Sequence, residues 1–273
     1  MTGLLLVAGT ALGGRGGLTL ALGMAVMMNL VAYFFSDKIA LASYGAQPLS
    51  PEDQPDIYWR VYRIVERLAG RMGVPIPRLY LVDSDSPNAF ATGRNPNHAA
   101  VAVTRGVLSL LTDEELEGVL AHELGHVKNR DILTSSVAAM LAGAITYLAS
   151  MARWGMILGG FGGRDDDRRG GGGLEMLLMM ILAPLAALLI QMWISRTREY
   201  EADHTGAELT HNPHALASAL EKLDAWSKRV PLDASPSTAH LCIVQPFTGQ
   251  AFMNMFSTHP PIQKRIERLM EMR

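Results

Sequence analysis

Apolar positions along the 273-residue chain are pooled into long runs rather than spread evenly. Residues 18–35 are continuous and mostly apolar, close to the ~20 residues that span ~30 Å of hydrocarbon as helix. Residues 2–12 form a shorter apolar arm. Gly13-Gly14-Arg15-Gly16-Gly17 between the two predicts a turn, and Arg15 is the only charge before Asp37. Residues 1–36 therefore read as an N-terminal transmembrane hairpin whose first arm is short for a full crossing. Two further runs, 132–152 and 176–195, carry no charge. Ala139, Gly143 and Ala144 stand at helical spacing and suit close helix contact in lipid. Pro184 lies inside the last run, which membranes tolerate. Residues 132–195 thus read as a second hairpin around a solvated loop at 161–173, which holds Arg164-Asp165-Asp166-Asp167-Arg168-Arg169 followed by four glycines. Buried helices of a soluble core are the alternative for these runs.

The remaining material, 37–131 and 196–273, has the patterning of a water-facing domain interrupted by the second hairpin. An amphipathic helix over 56–72 stops at Gly73-Val74-Pro75. Residues 78–82 and 99–104 predict strands, with turn chemistry at Pro87-Asn88 and Arg94-Asn95-Pro96-Asn97 between them. The expectation is an α+β catalytic domain in two pieces combined with about four transmembrane helices.

Composition agrees with that division. Charged residues make up 18% of the chain, against roughly 25% in ordinary soluble domains, and the mean hydropathy is +0.15. Twenty-four basic against 26 acidic side chains leave a net charge of −2, which argues against a nucleic-acid partner held by a global positive field. A single cysteine, Cys242, excludes a disulfide framework, a CxxC pair and a multi-cysteine zinc site. Basic residues set no orientation: Lys38, Lys128, Arg130, Arg196 and Arg198 flank one side of the spans, and Arg15, Arg153, Arg164, Arg168 and Arg169 the other.

The candidate chemistry begins at His122-Glu123-Leu124-Gly125-His126, an HExxH. Thr112 followed by Glu115 is a capping box that starts its helix, with Asp113 and Glu114 suiting the positive end of the dipole. One turn apart, His122 and His126 project from one face and can share a metal. Glu123, about 100° round the helix, reaches a metal-bound water without becoming a ligand. Zinc suits two imidazoles and one oxygen, with a fourth position open for water. Chance alone gives an HExxH in on the order of one chain in a hundred of this length. A second pattern therefore matters. Glu199 and Asp203 lie four residues apart, just after the last apolar run. They share a helical face, on which Glu199 supplies the third ligand and Asp203 accepts a hydrogen bond from a ligating histidine. Alone, these acids would read as a solvated face beside a span.

The chain resembles the HtpX family of membrane-bound zinc metalloproteases, relatives of the enzymes that trim prenylated proteins. The likeness covers nearly all of it: the N-terminal apolar hairpin, Asn88-Ala89-Phe90-Ala91-Thr92-Gly93, His122 to His126, a second apolar pair, Glu199-Tyr200-Glu201-Ala202-Asp203, and His259-Pro260-Pro261 before a terminal helix. The resemblance implies a gluzincin-like fold holding one zinc per chain on His122, His126 and Glu199, with Glu123 as base. It also implies a multi-pass protein of the bacterial inner membrane, its active site facing the cytoplasm, that cleaves misfolded or damaged membrane proteins in quality control and stress response. The tetrahedral oxyanion needs a second electrophile. His259 and Arg265 are the candidates, in keeping with a His and an Arg in relatives. Arg265 lies off the Ile262, Ile266, Leu269 stripe of the last helix. Asn88, Ala89, Phe90 and Ala91, with the strand at 100–104, offer an edge on which an extended substrate can pair, although an ordinary hairpin turn fits as well. His98, His204, His211, His214 and His240 read as surface or packing residues. Ser227-Lys228-Arg229 opens a loop that continues to Pro246.

Two rivals make different demands. An intramembrane protease needs HExxH on an apolar span, yet Asp113, Glu114, Glu115, Glu117, Lys128 and Arg130 crowd this helix. A membrane scaffold with a degenerate site predicts loss of the base or third ligand, and both Glu123 and Glu199 are present. Clients, cleavage preference and oligomeric state leave no mark in the sequence.

Overall fold

The computed structural model describes residues 2–159, 172–229 and 260–272. Two compact units share the chain: Met1–Tyr33 with Thr134–Ile194, and Phe34–Leu133 with Ser195–Arg273.

The first unit contains α1 (Thr2–Phe34) and most of α6 (Asp131–Gly159), together with the first part of α7 (Gly172–Thr210). α1 is interrupted at Gly13 and Gly14, where Gly14 takes φ 57° and ψ −135°, a conformation open to glycine. The chain turns back there. A Cβ on Gly9 would lie 2.5 Å from the Gly17 carbonyl oxygen, Leu6 packs on Leu18 and Ala21, and the Asn29 amide donates to the Thr2 hydroxyl at 3.3 Å. Among the described residues, α1 and the Asp131–Leu148 part of α6 are long and apolar enough to cross a membrane. Residues 176–195 lie on α7, which runs unbroken through Pro184. The acidic and basic core of the 161–173 loop falls outside the described residues.

The second unit is built on a four-stranded sheet in the order β1-β2-β4-β3, comprising β1 (Gln47–Pro48), β2 (Arg78–Val82), β3 (Ala89–Thr92) and β4 (Ala100–Thr104). β2 and β4 are parallel, and the other pairings are antiparallel. Side chains of a strand alternate between faces, and both faces here are covered. Leu79, Leu81, Ala89, Val101 and Val103 join the main core with α3 (Pro55–Met72), α5 (Asp113–Lys128) and α8 (Pro213–Arg229). Val82, Phe90, Ala100 and Ala102 pack with Ala40 and Leu41 of α2 (Ser36–Ser43) on the other side. α4 (Arg105–Leu110) follows β4, and α9 (Ile262–Glu271) packs on α8.

Three expectations change here. The strand at 100–104 is internal, between β2 and β3, and offers no edge; the edge strand on that side is β3, which the turn signals at Pro87-Asn88 and Arg94-Asn95-Pro96-Asn97 concealed. Ser227, Lys228 and Arg229 still belong to α8, with Ser227 buried, so any loop starts after them. Arg265 is 2% exposed and as deeply buried as Leu269, because residues four apart share one face and the buried stripe of α9 includes it.

Candidate metal centre

α5 begins as its sequence demands. The Thr112 hydroxyl accepts from the Glu115 amide at 3.3 Å, and the Glu115 carboxylate accepts from the Thr112 amide at 2.9 Å. That carboxylate also accepts from Ser218 at 2.7 Å and Lys222 at 2.8 Å, which ties the start of α5 to α8. From Leu116 to Gly125 only Glu117 escapes full burial, and it pairs with Arg67 of α3 at 3.0 and 3.1 Å. α7 approaches α5 through small residues. A Cβ on Gly206 would lie 3.0 Å from the His122 amide nitrogen, so the backbones meet closely enough for Glu199 to face both histidines.

His122 Nε2 and His126 Nε2 are 3.2 Å apart. The Glu199 carboxylate is 3.8 Å from the first and 3.6 Å from the second. Among the described residues these three form a cluster able to hold a metal ion, with all donor atoms within 4.8 Å of one another. Each remaining ring nitrogen meets a carboxylate: His122 Nδ1 lies 2.9 Å from Asp203 Oδ1, and His126 Nδ1 lies 2.6 Å from Asp131 Oδ2. An ionised carboxylate only accepts, so each Nδ1 carries a proton and both Nε2 atoms turn to the shared centre.

Charge around this centre is unevenly matched. Arg265 donates to Asp203 through Nε at 2.8 Å and through its terminal nitrogen at 2.7 Å, and another of its nitrogens lies 3.5 Å from Glu199. Burial pushes the Asp203 carboxyl up, but Arg265 and His122 beside it outweigh that and hold it at about 2. Burial likewise disfavours charge on Arg265 and lowers its pKa, but the carboxylates of Asp203, Glu199 and Glu123 outweigh that and raise it. At His126, loss of water would lower the pKa; the Asp131 hydrogen bond and the charges of Glu199, Glu123 and Asp131 raise it to about 9. A cation is favoured where that proton sits.

Glu123 is buried beside the cluster, and its Oε2 accepts from the Ala91 amide at 3.1 Å. The Thr104 amide donates to the Asn88 carbonyl, so residues 88, 90 and 92 bond to β4, while 89 and 91 turn their backbone groups away from it. Asn88, Ala89 and Phe90 are buried. The structure therefore brings together His122, Glu123, His126, Glu199, Asp203, Arg265 and Ala91. His259 lies outside the described residues, as does His240; His98, His204, His211 and His214 are exposed. Sequence reading missed Asp131, whose only signal was its place five residues after His126.

Helix-borne His, His and Glu donors beside a mixed sheet define a metallopeptidase. Peptidase family M48 matches residues 58–273. A "Protease HtpX homolog" of Desulfatibacillum aliphaticivorans is 55% identical over 98% of this chain and 85% of its own length. One of Syntrophobacter fumaroxidans is 55% identical over 100% of this chain and 95% of its own. The crystal structure of S. mikatae Ste24p shares the fold, with a TM-score of 0.56 and 21% identity over 97% of this chain and 60% of that one. The chain belongs to the HtpX family of peptidase family M48 and is a metalloprotease.

Proposed function

We propose that the protein is an integral-membrane zinc metalloendopeptidase that cleaves misfolded or damaged membrane proteins. The observation that carries this reading is the convergence of three donors: the two Nε2 atoms lie 3.2 Å apart, with Glu199 Oε1 3.6 Å from His126 Nε2 and Oε2 3.8 Å from His122 Nε2. Ligand atoms 2.0–2.1 Å from a tetrahedral zinc stand ~3.3 Å apart, so one zinc per chain fits His122, His126 and Glu199. When bound, zinc supplies Lewis-acid polarisation of the scissile carbonyl and acidifies the attacking water.

The chain's own groups do the rest. Glu123, anchored at Oε2 by the Ala91 amide, takes the proton of the attacking water and passes it to the leaving amine as the C–N bond breaks. Asp203 orients His122. Arg265 has its guanidinium turned onto Asp203, which supports a role in holding that carboxylate rather than direct contact with the oxyanion; His259 is the candidate for the latter. An extended substrate lies along the outer edge of β3, over Asn88, Ala89, Phe90 and Ala91. This mode reads backbone and suits partly unfolded clients.

The same reading assigns residues 1–36 and 132–195 to two transmembrane hairpins, four helices in all, and residues 37–131 and 196–273 to the catalytic domain. Their apolar runs support a membrane protein, and the family resemblance implies a multi-pass protein of the bacterial inner membrane with the catalytic domain in the cytoplasm. The test is cleavage of casein by the zinc-loaded protein in detergent, wild type beside Glu123→Gln. Activity lost in the variant, with zinc still bound, is the expected result. Equal activity in both removes Glu123 as base, and activity in neither removes the peptidase reading.

A further inference from the structure

We propose that Asp131 is the positioning residue for His126, fixing its tautomer and ring angle as Asp203 does for His122. The inference rests on the reading of His126 as a metal ligand. The His126 Nδ1–H donates to Asp131 Oδ2 at 2.6 Å, and Asp131 is buried at 8% exposure. That bond keeps the Nδ1 proton in place and makes Nε2, which faces His122 and Glu199, the nitrogen that gives up its proton when the ring ligates.

The backbone is bent to bring Asp131 there. α5 ends at Lys128 and α6 starts at Asp131, so only Asn129 and Arg130 join them. Arg130 takes the left-handed φ of 56°, which a non-glycine side chain adopts at a cost and keeps only where its surroundings impose it. The Asn129 amide donates to the Gly125 carbonyl and the Arg130 amide to that of Val127, so the link closes the last turn of the HExxH helix. From the other side Arg198, the neighbour of Glu199, donates to the Asp131 carbonyl at 2.6 Å. The helix that delivers the third ligand thus also clamps the residue that orients the second.

An acid at a helix start is also what a plain cap looks like, and the variants must separate the two. Asparagine and serine cap helices about as well as aspartate. Neither supplies a charged acceptor, and the asparagine amide can donate to Nδ1 and turn the proton onto Nε2. The experiment uses the full chain in detergent, stripped of metal, as wild type, Asp131→Asn and Asp131→Ser. Zinc affinity is read by competition with a chromophoric chelator, coordination by the visible absorption of the Co²⁺ form, and fold by thermal unfolding of the stripped protein. Both variants are expected to bind zinc roughly 10–100-fold more weakly, with an altered cobalt spectrum and unchanged unfolding of the stripped protein. Wild-type affinity and spectrum in either variant that folds overturns the proposal. Loss of cooperative unfolding in both makes Asp131 a folding residue and also overturns it. A wild type that binds no zinc overturns the reading of the metal site, and this inference with it.

Discussion

Arg265 and Asp203 meet in a buried, bidentate ion pair with both partners almost wholly shielded from water. Removing one partner of such a pair leaves an uncompensated charge, which costs about 3–5 kcal/mol. Arg265→Met is therefore expected to destabilise the metal-stripped protein by that amount in denaturant unfolding, although methionine fills much of the same volume. A loss within about 1 kcal/mol would mean that His122 alone satisfies Asp203. Glu199 and Asp203 were legible as a pair because four residues make one helical turn. Arg265 was legible as a residue of interest but not as a buried one, because arginines on a short terminal helix ordinarily face water and nothing local marks the exception.

The elements that place the site are held by polar contacts as much as by the core. Glu115 closes its own capping box and accepts from Ser218 and Lys222 of α8. Burial raises its pKa, but the bonds from Lys222, Ser218 and Thr112 outweigh that and bring it below 4.5. The folded state then binds fewer protons at this group than the unfolded chain. Its contribution is complete above the ordinary carboxylate pKa and fades as the pH falls through the lowered one. Glu115→Gln, which does not titrate, is expected to lose about 1.5–3 kcal/mol at pH 7. Its gap in unfolding temperature from wild type should narrow as the pH drops below 4.5. A gap that stays constant down to acid pH would assign the loss to shape rather than charge. The capping box itself was readable from Thr112 and Glu115; its link to α8 was not, since Ser218 and Lys222 lie a hundred residues away in sequence.

On the scale of the whole molecule, the site draws on both segments of the second unit: His122, Glu123, His126 and Asp131 from one, Glu199, Asp203 and Arg265 from the other. A metal held between them binds the folded state and has little affinity for the open chain. At a hundredfold excess over its Kd such a ligand adds about 2.7 kcal/mol of stability. Chelation is therefore expected to lower the unfolding temperature of the purified protein, and stoichiometric zinc to restore it. Unfolding that ignores both chelator and zinc would place metal binding outside the folded cluster.

What the chain determined by itself was local. Apolar runs, the HExxH and ExxxD spacings, the capping box and two of the four strands depend on neighbours within a turn or a strand, and periodicity reports those directly. Three things depended on tertiary structure. β3 became an edge strand beside Glu123 because β4 pairs in parallel with β2 and leaves β3 outside. Arg265 became buried because α9 turns its Leu269 face inward. Asp131 met His126 because the two-residue link after α5, with Arg130 in the left-handed region, sets the Asp131 carboxylate against that ring. Each is an encounter between elements whose partners stand apart in the sequence or across a break in helical periodicity, where the spacing of residues no longer fixes the distance between side chains.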